Sequence, residues 1–373
     1  LKQIEQIKVD SLHEKGYHGE NVLIGLLDTG FRLSHKALKD IDIVSERDFI
    51  YQDEMTANQP QQDDDIQDEH GTFVLSVIAG NEQGNLIGPA FSASYLLGKT
   101  EKVSQNGQEF EKTIEEDWWI QGLEWMESMG VDVVNSSLGY SDWYRFSDLD
   151  GKTAKVTKAA NIAAEKGVIV VVAAGNTGSI QSDGSGLKGH VTPPADGFDV
   201  LAVGSVNHQG IVAGSSSRGP TYDGRIKPDL MAMGVNTIVA DPKTKDAYIQ
   251  INGTSMASPL VAGVAALLLQ AFPDVTVKQI IEALKQTASE ANSPNNNYGW
   301  GIVNAEAAYD FILAGQISVG IQPSDTRRNI VNSNWGRIKK QSLDFSLGQN
   351  YPNPFNPETY IPFKIGHDTN VLI

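Results

Sequence analysis

Val22-Leu-Ile-Gly-Leu-Leu-Asp-Thr-Gly30 decides how the chain is read. Six apolar residues run without alternation into an aspartate and a turn. An apolar run of this length, closed by Asp-Thr-Gly, reads as a strand buried on both faces, the kind found in a parallel sheet covered by helices. Val131–Val134, Val168–Ala173, Val200–Val206 and the shorter Ser94–Leu97 have the same character. Between them the sequence predicts helices at His70–Ala79, Trp118–Met129, Thr153–Lys166, Ser255–Ala271 and Thr276–Thr287. This alternation predicts an α/β domain, a doubly wound and mostly parallel sheet with helices on both faces. Ser255–Ala271 is apolar on nearly every side, so it should run through the interior. Its Pro259 falls near the first turn, where a missing N–H costs little.

The chain has 373 residues, 40% hydrophobic and 20% charged, enough apolar material for a large core. Its net charge of −17 repels nucleic acid and anionic lipid, so neither is an expected partner. There is no cysteine, which excludes thiol catalysis and Cys-based zinc sites. No uninterrupted run of about 18 apolar residues occurs, so no membrane span is expected.

Four polar residues stand where such a fold places chemistry. Asp28 ends the first strand, and sites in open α/β sheets lie at the carboxyl ends of strands. His70 opens an apolar helix after an acidic loop. Ser255 lies in Asn252-Gly-Thr-Ser-Met-Ala-Ser-Pro259, at a helix start whose free N–H groups suit a developing oxyanion. Asn176 follows the buried run Val170-Val-Val-Ala-Ala-Gly175, and its amide can donate to the same charge. Taken singly, each also reads as a turn, surface or capping residue. Their order along the chain, Asp, His, Ser, is that of the subtilisin triad and not of chymotrypsin or the α/β-hydrolases.

Residues 5 to about 312 resemble the subtilases. Asp28-Thr-Gly30, His70-Gly-Thr72 and Gly253-Thr-Ser-Met-Ala-Ser-Pro259 match the three motifs around that family's catalytic residues. The resemblance implies a serine endopeptidase working through an acyl-enzyme on Ser255, with His70 as base, Asp28 orienting it and Asn176 in the oxyanion hole. It places Ser137, Leu138 and Gly139 on one wall of the substrate pocket and Ala173, Ala174 and Gly175 on the other. The small Gly139, Ala173 and Ala174 would admit a fairly large apolar P1 side chain within a broad specificity. Trp118, Trp119, Trp143 and Tyr144 flank the expected cleft as subsite or packing residues. The match to a family turn makes the bond before Pro194 the one expected to be cis. A peptide ligase or cyclase, or an inactive subtilase acting as a binding module, are the alternatives on the same fold.

No cofactor is required for such catalysis. The family's tight calcium site departs here, with Ala37 where a ligating carboxylate would stand and a shortened loop at Asn81–Ile87. In the acidic loop before His70, Asp63, Asp65 and Gln67 are candidate ligands for a structural calcium, and a solvated acidic loop fits them as well.

The peptidase domain is expected over 1–315, a linker over 316–342, and the truncated start of a β-rich domain over 343–373. Asn350-Tyr-Pro-Asn-Pro-Phe-Asn-Pro357 resembles the opening of the C-terminal sorting domain used by the type IX secretion pathway of Bacteroidetes-type bacteria. With Leu1 in first place and no leader, the chain reads as a mature form or a fragment, its leader and N-terminal propeptide removed. The protein is then expected to be secreted and monomeric, with proteins or peptides as substrates.

Overall fold

The computed structural model describes residues 1–105, 107–178 and 187–315, with the two-residue strands Ser346–Leu347 and Phe363–Lys364. The chain divides into two compact units, Leu1–Val319 and Gly320–Ile373. The two short strands pair antiparallel within the second unit. The expected linker and the Asn350–Pro357 motif lie outside the described residues.

The first unit is built on seven parallel strands: β1 (Leu23–Asp28), β2 (Asp42–Asp48), β3 (Ser94–Lys99), β4 (Val133–Ser136), β5 (Ile169–Ala173), β6 (Leu201–Val206) and β7 (Leu230–Met233). Their order across the sheet is β2-β3-β1-β4-β5-β6-β7. The chain winds toward one edge from β1 and toward the other from β4. The switch in direction therefore falls between these neighbours, where open α/β sheets form their crevice. The five expected strands are present. β2 is an added edge strand whose sequence, Asp42-Ile-Val-Ser-Glu-Arg-Asp48, is too polar for the buried pattern.

Both faces are covered, as expected. Ile24, Leu26, Val133, Ile169, Val171, Leu201 and Val203 point to one core, shared with α1 (Glu69–Ala79) and α4 (Thr254–Ala271). Alternate residues, including Leu23, Leu27, Val134, Val170 and Val172, point to a second core with α2 (Ile114–Ser128) and α3 (Lys155–Glu165). The period of two puts apolar residues on both sides, which is why these strands read as unbroken apolar runs. Helices α5 (Val277–Gln286) and α6 (Ala305–Leu313) and two short N-terminal helices complete the first layer.

α4 is the spine of the domain. Its mean hydropathy of 1.5 over 18 residues would suit a membrane span by length and composition. Here Thr254 through Leu269 are buried inside the protein against the sheet and α1, so the apolar girdle is core packing. An antiparallel ribbon, β8 (Thr237–Ala240) and β9 (Tyr248–Ile251), leads into it. The peptide bonds before Pro194, Pro220 and Pro228 are cis, the first of them as expected.

Candidate active site

Asp28 stands at the carboxyl end of β1 with only 1% of its side chain exposed. His70 is the second residue of α1. Its Nδ1 lies 2.6 Å from Asp28 Oδ1, which also accepts the Thr29 N–H at 2.8 Å. Burial disfavours the imidazolium, but the Asp28 charge and hydrogen bond outweigh it and raise the His70 pKa above its ordinary 6.5.

Two sequence motifs interlock to hold this pair. The Gly71 N–H donates to Thr29 Oγ1 at 3.2 Å. A Cβ at Gly71 would sit 2.1 Å from the Gly30 carbonyl oxygen and 3.1 Å from Asp28 Cβ. Only glycine lets the helix carrying His70 approach the strand end carrying Asp28 so closely. Behind them, Arg32 grips the Asp68 carboxylate with two nitrogens, at 2.7 and 3.1 Å, and fixes the start of α1.

Ser255 lies on the first turn of α4, 7% exposed. Gly253 before it has φ +151° and ψ 156°, a region essentially restricted to glycine. The Ser255 hydroxyl donates to the Ser137 carbonyl at 3.2 Å, and Ser137 Oγ in turn donates to the Ser255 carbonyl at 2.9 Å. Leu27 pairs with Ser136 across the β1–β4 ladder, so the next residues, Asp28 and Ser137, flank one another at the crevice. That register brings Ser255 beside the Asp28–His70 pair. Among the described residues no hydrogen bond joins His70 to Ser255, because the hydroxyl is turned to Ser137. Such bonds commonly tighten only when substrate is bound.

Asn176 is exposed at the same edge, and its Oδ1 accepts the Thr254 N–H at 2.9 Å and the Thr254 hydroxyl at 3.1 Å. With its oxygen committed, the Nδ2 donors are turned away from Thr254. The Ser255 N–H belongs to the first helical turn, whose amides have no partner within the helix. Two donors are thus presented beside the serine.

The expected pocket walls flank the site. Gly139 is exposed, Leu138 packs against the α2–α3 core, Ala173 is 4% exposed and Gly175 has φ +109°. Ala174 is fully buried in the core, so its side chain faces no pocket. Trp119 is also fully buried, with its Nε1 donating to Ser136 Oγ, and is a packing residue. Trp143 and Tyr144 both donate to the buried Glu116.

Two of the three candidate calcium ligands, Asp63 and Gln67, are engaged by other groups. Asp63 holds the buried Lys99 ammonium at 2.7 and 2.8 Å, and Asp48 holds it from another side at 2.8 Å. Gln67 donates to the Thr29 and Glu101 carbonyls, both at 2.6 Å, and accepts the Val103 N–H. Asp65 is exposed. A lysine already supplies the positive charge in this loop, and Gln67 instead braces the turn after Asp28. At the shortened loop, Glu82 is taken by Lys36 and Tyr248. Glu101, Glu111 and Glu115 gather within 4.8 Å of one another near the cleft. Burial first, then the charges of Glu115 and Glu111, push Glu101 well above the usual carboxylate range.

A doubly wound parallel sheet that carries Asp, His and Ser in this chain order at its carboxyl edge is the arrangement of subtilisin-type serine hydrolases. The comparisons agree: the subtilase family profile matches residues 19–301, and the chain belongs to that family. It is a subtilisin-like serine protease. It is 35% identical to subtilisin E of Bacillus subtilis (strain 168) over 306 residues, covering 82% of this chain and 70% of that protein. Subtilisin DY of Bacillus licheniformis is 33% identical over 306 residues, 82% of this chain and 97% of its own. Among solved structures it is similar to fervidolysin of Fervidobacterium pennivorans, a keratinolytic enzyme related to subtilisin. That match has a TM-score of 0.64 and 28% identity, and covers 83% of this chain and 45% of the other.

Proposed function

We propose that Ser255 is the nucleophile of a peptide-bond hydrolase, with His70 as its base and Asp28 as the group that orients that base. The observation that carries this reading is the 2.6 Å contact between His70 Nδ1 and buried Asp28, at the edge where Ser255 opens α4. Asp28 holds the imidazole in the tautomer with Nε2 free and stabilises the imidazolium that forms. Rotation of the Ser255 hydroxyl from Ser137 toward Nε2 lets His70 take its proton as Oγ attacks the scissile carbonyl. The Ser255 N–H and Asn176 Nδ2 receive the oxyanion, the role their free donors support. His70 then returns the proton to the leaving amine, and water hydrolyses the acyl-enzyme by the reverse sequence.

The substrates are proteins and peptides with an apolar P1 residue, no cofactor takes part in the chemistry, and the enzyme acts as a monomer. We further propose a secreted protein with an N-terminal propeptide, organised as a peptidase domain over 1–315, a linker over 316–342 and a sorting-domain start over 343–373. Export by type IX secretion rests on the Asn350–Pro357 resemblance alone. Ser255→Ala tests the central claim. The variant should fold, lose casein hydrolysis and lose labelling by a fluorophosphonate probe. Casein hydrolysis at the parent rate would refute it.

A further inference from the structure

Strands β4 and β5 pair as far as Ser136 and Val172, and beyond those residues a third segment is wedged between their continuations. The Thr192 N–H donates to the Ala174 carbonyl at 3.1 Å on one side, and the Pro193 carbonyl accepts the Tyr140 N–H at 2.9 Å on the other. The gap so formed opens next to Ser255, whose hydroxyl touches Ser137 on one of the two walls. If Ser255 is the nucleophile, the side chain preceding the scissile bond enters this gap.

The walls are bare at the two positions that face each other, Gly139 and Gly175. The space between them is nevertheless not empty. A Cβ on Gly139 would lie 2.3 Å from Thr192 Oγ1 and 3.2 Å from Thr192 Cβ. A Cβ on Gly175 would lie 2.9 Å from Ser217 Oγ, 3.1 Å from Thr192 Oγ1 and 3.3 Å from Thr192 Cγ2. One side chain therefore reaches both walls, and it is held there with 6% exposure by a backbone tied to each of them. Small walls suggested a roomy pocket, but the room they leave is taken by Thr192.

We propose that Thr192 is the floor of the substrate pocket and restricts P1 to small apolar side chains of alanine size. This deepens the hydrolase reading above and rests on it. A branched side chain tied through its own backbone cannot swing clear as a long flexible one would. A large P1 ring meets Oγ1 and Cγ2 before it is buried, whereas a methyl group does not.

The test uses tetrapeptide p-nitroanilides that differ only at P1, alanine against phenylalanine, read as the ratio of kcat/KM values. The parent enzyme should favour alanine by about 10-fold or more, the scale of one mismatched methylene in a closed pocket. Thr192→Gly should shift the ratio toward phenylalanine by at least about 10-fold. Thr192→Val, which keeps the volume, should retain the parent ratio. If Thr192→Gly fails to fold, Thr192→Ala, which removes only Oγ1 and Cγ2, should shift the ratio in the same direction. A parent enzyme that cleaves the phenylalanine peptide as well as the alanine one, or an unchanged ratio in the folded glycine or alanine variant, overturns the proposal. Fluorophosphonate labelling separates the two levels. Labelled enzyme with an unmoved ratio removes only the role of Thr192, whereas absence of both labelling and hydrolysis removes the assignment of Ser255.

Discussion

Gly71→Ala should damage catalysis more than its single methyl group suggests. The added Cβ would lie 2.1 Å from the Gly30 carbonyl oxygen, about 1 Å inside ordinary contact. The obstacle is backbone, anchored by the parallel ladder of β1 and by the Thr29–Gly71 hydrogen bond, so no flexible side chain can turn away. Either the start of α1 or the turn after Asp28 must move by about an ångström, and both carry a member of the His70–Asp28 pair. Overpacking of this kind costs about 1–3 kcal/mol, which lowers Tm by about 2–10 °C in a domain of this size. A displacement of about 1 Å in positioned groups costs about 100-fold in rate, so kcat should fall by about that factor. Calorimetry gives the first quantity and p-nitroanilide hydrolysis the second. Gly214→Ala is the control, since a Cβ there meets nothing within 4 Å and should change stability by less than about 0.5 kcal/mol. A Gly71→Ala enzyme with parental Tm and kcat would refute the account of how the two motifs interlock.

The base acts unprotonated, and its raised pKa means that kcat/KM should rise with pH through an inflection above 6.5 and be lost as pH falls through it. Asp28→Asn removes the charge that opposes burial, so the inflection should move to lower pH while kcat falls by about 10⁴, the scale known for the equivalent change in another serine protease. An unmoved inflection would show that Asp28 does not tune His70. Lys99→Met should leave the buried Asp48 and Asp63 carboxylates without their cation and destabilise by about 3–5 kcal/mol at neutral pH, measured by thermal melting. Undiminished stability would show that Lys99 is not the counterion of that loop.

The strands were readable because burial on both faces writes an apolar run directly into the sequence, and Asp28 was conspicuous as the charge that ends one. β2 was not, since an edge strand facing solvent has no reason to be apolar. β7 was missed because Leu230-Met-Ala-Met233 contains no β-branched residue. α2 begins a turn earlier than expected. Its opening, Ile114-Glu-Glu-Asp117, looked polar, yet acidic residues favour a helix N-terminus. Helix α6 was not anticipated either. At the site, motif residues disclosed the chemistry but not its supports. Gly71 against Gly30, Gln67 beneath Thr29 and Thr192 between two glycines are contacts between distant segments, and no local pattern announces them. The candidate calcium ligands failed for the same reason. Their spacing fits an ion loop, and only the fold shows Lys99 already standing there.

The helix that carries Ser255 has one further consequence. Helix ends ordinarily fray, and their amides exchange with solvent long before the core opens. α4 begins inside the protein, with its first 16 residues buried, so its first turn cannot loosen unless the sheet and α1 separate as well. The scaffold that holds Ser255 is therefore expected to open only together with the rest of the core. Loss of activity and loss of the folded scaffold should then follow one melting curve, and inactivation that clearly precedes the calorimetric transition would contradict this.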